Sequence, residues 1–236
     1  MNPQCGPGRF LLKLASSDSS QWSGDAAEHG RDFNFLGLEI REPIVERARK
    51  WSDKLGVGHR VAFMKVNATL HMASLLSNYP GRVHTVCCQF PDPHFKRKHH
   101  KRRIVQERLV RDLAARMDAG GRVFLQSDVH EVSDAMRDAF EYYGGPRFDL
   151  HPIHLDIAQR IRSGDSSGVT LDEDWLHRRM ERDLFREEGS SRWRLMEGEG
   201  WLPENPLGVP TEREILTQKS SGSVYRTLLV RTAEQV

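Results

Sequence analysis

The sequence has little cysteine, no long apolar run and little net charge. Its three cysteines are too few for a disulfide framework, and the neighbours Cys87 and Cys88 would point to opposite faces of a strand. No run approaches the roughly 18 apolar residues of a membrane helix, and no signal peptide or other targeting segment is visible at the start. We therefore expect free thiols, Cys5 among them, in a soluble protein of a reducing, intracellular compartment.

Positive charge is concentrated in one segment. A net charge of +2 over 236 residues excludes a uniformly basic protein, yet Lys96–Arg103 reads KRKHHKRR, and every residue in it is basic or titratable. Many of the balancing acids lie between Asp156 and Glu199. This distribution predicts a local site for a polyanion.

Strand-like and helix-like segments alternate along the chain. The predicted strands are Phe33–Glu39, Val61–Val66, Val83–Gln89, Val123–Gln126 and Val224–Val230. The alternation predicts a single α/β domain over residues 1–236 with a doubly wound, mostly parallel sheet. Two polar insertions interrupt it, at about residues 16–32 and 156–200, and the second is expected to contain a surface helix over Glu173–Glu188.

Apolar residues three or four positions apart predict the buried faces of the helices. One such face combines Ile44, Ala48, Trp51 and Leu55. Another helix is expected to begin near Ile104, directly after the basic segment. Because cations are unfavourable at a helix N-terminus, that placement itself suggests that a polyanion binds there.

Polar residues at predicted strand ends suggest a nucleotide site. Gly6 and Gly8 form a turn before a helical run, where backbone N–H groups can meet a nucleotide, although an ordinary turn explains them about as well. Glu39 ends a strand and suits ribose hydroxyls, or is a solvated carboxylate. Asn67 follows the next strand and suits the edge of an adenine, or is a turn-forming amide.

The segment Phe90–Lys96, FPDPHFK, is the most informative. It follows a predicted central strand, and open α/β sheets bind ligands beyond the carboxyl ends of their strands. Pro91 and Pro93 restrict the backbone and hold Asp92 in a fixed direction. For the basic segment that comes next, a solvated helix start or a localisation signal is the alternative reading.

Two further motifs read first as helix caps. Asp128 lies between a strand and a helix, where an N-cap is expected. Thr211-x-x-Glu214 precedes Ile215 and Leu216 and has the spacing of a capping box.

The stretch FPDPHFKRKHHKRRIVQ resembles the signature of the tRNA (guanine-N7)-methyltransferase family. FLGLEIR, Asn67-Ala68, QSDV and ENPLGVPTEREI extend the resemblance over Cys5–Tyr143 and Trp201–Val230. It implies a class I methyltransferase (Rossmann-like) sheet, S-adenosylmethionine as cofactor and the variable-loop guanine of tRNA as substrate. It further implies a cytoplasmic or plastid enzyme, monomeric or homodimeric, with no obligate partner subunit and no metal site.

The resemblance also implies roles for individual residues. Asp92 matches the catalytic position, which lies at the cofactor as well. Glu39 and Asn67 match cofactor-binding positions, beside the turn of Gly6 and Gly8. The substrate-binding positions are Lys96, Asp128, Thr211 and Glu214, and the RNA-contacting positions are Lys98, His99, His100, Lys101, Arg102 and Arg103.

The start of the chain departs from the family pattern of an apolar strand, an acidic residue and G-x-G-x-G. Met1–Gln4 stands in that place, with Asn2 for the acidic residue and Gln4 for the first glycine. We therefore expect a truncated first strand and interpret the sequence as a fragment. The alternatives are an RNA-binding protein impaired in catalysis and a methyltransferase for another RNA or a small molecule, although the basic segment disfavours a small molecule.

Overall fold

The computed structural model describes residues 1–17, 33–154, 156, 159, 163 and 201–233. The Glu173–Glu188 helix and most of both insertions lie outside the described residues. The strands are β1 (Phe35–Glu39), β2 (Val61–Lys65), β3 (Thr85–Gln89), β4 (Arg122–Ser127), β5 (Phe148–Leu150) and β6 (Tyr225–Arg231). The helices are α1 (Arg9–Ser16), α2 (Glu42–Lys54), α3 (Ala68–Ser77), α4 (Glu107–Arg116), α5 (His130–Gly144) and α6 (Glu212–Lys219), with 3-10 helices over Arg97–Arg102 and Gly145–Arg147.

The strands form a mostly parallel arrangement in two parts. β1 and β2 pair in parallel, and the second part has the order β3-β4-β6-β5. In that part β3 and β4 are parallel, whereas β6 runs antiparallel to both β4 and β5. The prediction of a doubly wound, mostly parallel α/β sheet is confirmed.

Met1 and Asn2 join the two parts. The Asn2 N–H donates to the carbonyl of Leu36 (2.8 Å), and the Leu38 N–H donates to the carbonyl of Asn2 (2.9 Å). On the other side the Cys87 N–H donates to the carbonyl of Met1 (2.8 Å). These two residues therefore lie between β1 and β3, in the place of the expected first strand, where they form a single bridge.

Helices cover both faces of the sheet. One apolar cluster packs α3, α4 and α5 against alternate strand residues such as Val86 and Cys88. The other packs α1, α2 and the loop residues Leu202 and Val209 against residues such as Cys87. Cys87 and Cys88 thus face opposite sides, as predicted, and burial raises the pKa of the Cys87 thiol to about 11.

Three sequence-based expectations differ from the structure. The inward face of α2 is Val45, Ala48 and Ser52, whereas Leu55 lies beyond the helix and is 57% exposed. Ala48 is buried as predicted, and the half-buried Trp51 packs against the same apolar cluster. The strand β5 was missed because three residues give no readable alternation.

The third difference is the start of α4. It begins at Glu107, not near Ile104, and Gln106 is its N-cap. The basic segment therefore does not stand at the N-terminus of α4, and the predicted electrostatic conflict is wrong. Within the described part of the chain, none of the helices combines the length and the apolarity needed to cross a membrane.

Candidate functional site

The predicted site residues meet at one edge of the sheet. β1, β2, β3 and β4 run in the same direction, so their carboxyl ends share an edge. Glu39 ends β1, Asn67 follows β2, Asp92 follows β3 and Asp128 follows β4. The turn of Gly6 and Gly8 reaches the same edge because the Cys5 N–H donates to the carbonyl of Leu38 (2.9 Å).

The glycine turn is open on one side and closely packed on the other. Gly6 (φ +51°) and Gly8 (φ +77°) both adopt the left-handed conformation that favours glycine. A Cβ on Gly8 would lie 2.5 Å from the ring of Phe63, whereas one on Gly6 would meet nothing within 4 Å. Gly8 also caps α1 without any side-chain hydrogen bond, so the first N–H groups of α1 remain available to a ligand.

Glu39 is held by the backbone that follows it. Its Oε1 accepts from the N–H groups of Ile40 (3.0 Å) and Arg41 (3.1 Å). All the hydrogen bonds that the described residues make to this carboxylate fall on Oε1, and none falls on Oε2. Burial, and then the Glu39 carboxylate, raise the pKa of the Cys5 thiol to about 12, so this thiol stays neutral beside the carboxylate.

The side-chain oxygen of Asn67 has a structural role. Its Oδ1 accepts from the Thr69 N–H (3.1 Å) and caps α3, as the turn-forming alternative anticipated. The cap uses only the amide oxygen of Asn67. Ile40, missed by the sequence reasoning, is 59% exposed next to Glu39 and offers an apolar surface there. An isoleucine directly after the strand-end glutamate was the available signal.

Asp92 stands on a constrained segment. Its side chain is 66% exposed, and its Oδ1 accepts from the His94 N–H (3.3 Å). Phe90 (φ +47°) and His94 (φ +45°) are non-glycine residues in the left-handed region, a conformation that costs on the order of 1–3 kcal/mol each. The Phe90 N–H donates to the carbonyl of Gln126 (2.8 Å), and Arg103 Nε donates to the carbonyl of Pro93 (3.0 Å). The segment is therefore anchored on both sides of Asp92.

The basic segment forms a 3-10 helix over Arg97–Arg102, with Lys96 as its N-cap. Several of its side chains are exposed, namely those of Lys98, His100, Lys101 and Arg102 together with Lys96. His99 and Arg103 are half-buried, and the ring of His99 lies edge-on to that of His94 (6.4 Å). Phe95, which the sequence reasoning did not single out, is 71% exposed beside these cations.

Asp128 does not cap α5. The N-cap is Val129, whose N–H donates to Ser127 Oγ (3.1 Å). Asp128 Oδ2 accepts instead from Arg213 of α6, at 2.8 Å from Nε and 2.5 Å from a terminal nitrogen. Two charge-assisted hydrogen bonds are stronger than one cap, which explains why the N-cap reading was wrong.

Thr211 and Glu214 form the predicted capping box. Thr211 Oγ1 accepts from the Glu214 N–H (3.1 Å), and Glu214 Oε2 accepts from the Thr211 N–H (3.2 Å). Glu214 is only 2% exposed, and its Oε1 accepts from the equally buried Arg226 (2.9 Å). The helix α6 thus brings both residues to the site edge, but the carboxylate of Glu214 points into the protein.

Comparisons with known proteins identify the family of this chain. A family model described as "Putative methyltransferase" matches residues 4–151. A tRNA (guanine-N(7)-)-methyltransferase from Synechocystis sp. (strain ATCC 27184 / PCC 6803 / Kazusa) is 34% identical over 97% of this chain and 80% of that protein. The chain belongs to this methyltransferase family.

Another member of the family, from Synechococcus sp. (strain JA-3-3Ab), is 42% identical over 72% of this chain. The match spans 62% of the length of that relative, so it covers less than two thirds of it. Among solved structures, TrmN from Thermus thermophilus is 19% identical over 64% of this chain and 37% of that chain, with a TM-score of 0.42.

Proposed function

We propose that the chain transfers a methyl group from S-adenosylmethionine to N7 of the variable-loop guanine of tRNA. The observation that carries the proposal is the placement of Asp92, an exposed carboxylate on an anchored segment between the glycine turn and a cationic helix. Family membership supports the reaction class, because the curated relatives are named tRNA (guanine-N(7)-)-methyltransferases.

The residues present fit S-adenosylmethionine. The open space above Gly6 and the uncapped first turn of α1 suit the polar amino-acid part of the molecule. Glu39 Oε2 suits the ribose hydroxyls, and Asn67 with the exposed Ile40 suits the adenine. Asn2 is neutral at the position where the family pattern implied by the resemblance has an acidic residue, and its Oδ1 accepts from the Gln4 N–H (3.4 Å). This substitution lowers the negative charge of the site without blocking it.

The reaction needs orientation more than proton transfer. Guanine N7 has an in-plane lone pair and no proton, so no general base is required. When bound, S-adenosylmethionine supplies an electrophilic methyl group on its sulfonium. Asp92 accepts hydrogen bonds from the guanine N1–H and amino group, which orients the base, and its charge stabilises the purinium cation that forms.

The exposed cations hold the RNA backbone. Lys96, Lys98, Lys101 and Arg102 bind phosphates, while His99 and His100 stack or donate. Asp128 is engaged by Arg213 and Glu214 by Arg226, so both act on the substrate through the placement of α6. The proposed enzyme acts as a single chain, without a partner subunit.

The deciding experiment assays the purified chain on a tRNA transcript, with nucleoside analysis for 7-methylguanosine. Methylation should disappear when the variable-loop guanine is replaced by adenine. Asp92→Asn should lower kcat at least about 100-fold, because transition-state electrostatics is a large term, while the Kd for tRNA stays within about threefold. Asp118→Asn, at a 53% exposed carboxylate paired with Arg82, is the matched control and should leave kcat unchanged.

Near-normal turnover of Asp92→Asn would remove the proposed role of Asp92. A second function, RNA binding without catalysis, is favoured by Asn2 and Gln4 in place of the family's acidic residue and first glycine. Tight tRNA binding without any affinity for S-adenosylhomocysteine would replace the enzymatic proposal with that one.

A further inference from the structure

We propose that Gln126 is a positioning residue for methyl transfer, which fixes the Asp92 segment to the buried ion pair of Glu214 and Arg226. The proposal rests on the function proposed above. It identifies the contact through which α6 and β6 fix the position of Asp92. Among the described residues, no hydrogen bond joins Gln126 or Gln89 to the exposed carboxylate of Asp92. Both therefore act through the backbone between them and Asp92.

Gln126 contacts the Asp92 segment directly. Gln126 is fully buried on β4, opposite Gln89 of β3 in the parallel register. Its carbonyl accepts from the Phe90 N–H (2.8 Å), and its side-chain amide donates to Gln89 Oε1 (2.6 Å). Gln126 therefore holds two consecutive residues, and the second, Phe90, begins the segment in a left-handed conformation. A residue in that conformation persists only where its surroundings fix it.

Gln126 also contacts α6. The same amide nitrogen of Gln126 lies 3.3 Å from Glu214 Oε2, which also accepts from Asn205 Nδ2 (3.0 Å) and the Thr211 N–H (3.2 Å). Glu214 Oε1 accepts from Arg226 (2.9 Å). With four donors around it and 2% exposure, this carboxylate is held inside the protein. It serves as a fixed acceptor that orients Gln126.

The facing pair of Gln89 and Gln126 carries a cost in stability. Gln89 Nε2 and Gln126 Oε1 are buried and have no hydrogen-bond partner in the described part of the chain. A core selected only for stability would hold apolar side chains at two such facing positions, because unpaired buried amides are destabilising. The unmet atoms therefore indicate that the pair is present for the geometry it imposes on the strand ends.

The test uses Gln126→Met, which keeps the volume and removes the side-chain hydrogen bonds. We expect kcat to fall about tenfold or more while the KM for tRNA changes less than about threefold, since orientation rather than binding is lost. Gln89→Met should also lower kcat. The double variant should have a kcat no lower than that of Gln126→Met, because both substitutions remove the same hydrogen bond between the two side chains. Thr227→Val is the matched control: this buried hydroxyl on β6 has no partner among the described residues, and kcat should be unchanged.

Amide hydrogen exchange supplies a readout that does not depend on activity. The Phe90 N–H should exchange at least about tenfold faster in Gln126→Met than in the wild type. The midpoint of urea unfolding of Gln126→Met should be similar to that of Thr227→Val. The kcat losses of Gln126→Met and Asp92→Asn should combine less than additively, because one residue acts through the other.

The two proposals fail separately. A wild-type chain that forms no 7-methylguanosine contradicts the proposed function, while the exchange rate of Phe90 still tests the link. An active wild type in which Gln126→Met leaves both kcat and Phe90 exchange unchanged overturns the positioning role. Fully additive losses with Asp92→Asn would assign Gln126 a purely structural role and overturn it equally.

Discussion

At the scale of single residues, the role proposed for Asp92 depends on its neighbours. Its exposed carboxylate would turn freely in a flexible loop, yet Phe90 and His94 lock the backbone on either side. The prolines at 91 and 93 made this rigidity predictable from the sequence. The left-handed residues were not predictable, because only their hydrogen bonds to β4 and to the Asp92 carboxylate make that conformation worthwhile.

Phe95 gives a prediction at this scale. A phenylalanine that is 71% exposed next to a cationic helix suits stacking on an RNA base, worth roughly 1–3 kcal/mol. Phe95→Ala should therefore raise the Kd for tRNA at least about fivefold without changing its dependence on salt. Lys101→Ala, which removes one proposed phosphate contact, should instead reduce the slope of log Kd against log salt by about one. Both are measured by filter binding over a salt series, and equal slopes for the two variants would contradict these assignments.

At the scale of elements, α6 connects three parts of the structure around the site, namely α1, the end of β4, and β6. Three successive residues reach three different elements: Glu212 pairs with Arg9 of α1, Arg213 with Asp128 after β4, and Glu214 with Arg226 of β6. The sequence predicted the capping box of this helix, since that pattern is local. It did not predict the three ion pairs, because their partners lie outside the helix, 12 or more residues away in the chain, and meet only in the folded sheet.

His154 predicts how one edge of β6 responds to pH. The pairing of β5 with β6 ends at Leu229. The N–H of the next residue along β6, Leu228, donates instead to His154 Nε2 (3.1 Å). Burial, followed by the charges of Arg137 and His151, lowers the pKa of His154 well below its usual 6.5. The unfolded chain then binds a proton near pH 6.5 that the folded chain refuses, so stability is complete above that pH and falls as the pH decreases.

Urea unfolding between pH 7.5 and 5 measures this effect. The free energy of unfolding should decline below about pH 6.5, with His154 contributing up to about 1.4 kcal/mol per pH unit. His154→Gln, whose carbonyl oxygen can still accept from Leu228, should flatten the profile while losing little stability at pH 7.5. A profile equally steep in the variant would assign the pH dependence to other groups.

At the scale of the whole molecule, the sheet depends on a two-residue join. Glu39 and the glycine turn belong to the side of β1, whereas Asp92 and Asp128 belong to the side of β3 and β4. Alternating strands and helices in the sequence were enough to predict the parallel sheet and the strand ends that meet at its edge. How Met1 and Asn2 connect its two parts was not predictable, because two residues carry no periodicity.

The join leads to a prediction about both stability and cofactor affinity. Asn2→Pro removes the N–H that donates to Leu36, while Asn2→Ala keeps the backbone hydrogen bonds and serves as the control. We expect the free energy of unfolding to fall by about 2–3 kcal/mol in Asn2→Pro and by about 1 kcal/mol or less in Asn2→Ala, measured by urea titration. The affinity for S-adenosylhomocysteine should fall with it, because the same residues set the position of the glycine turn relative to Asp92. Equal stability and equal affinity in the two variants would show that apolar packing alone, through residues such as Leu38 and Cys88, holds the two parts of the sheet together.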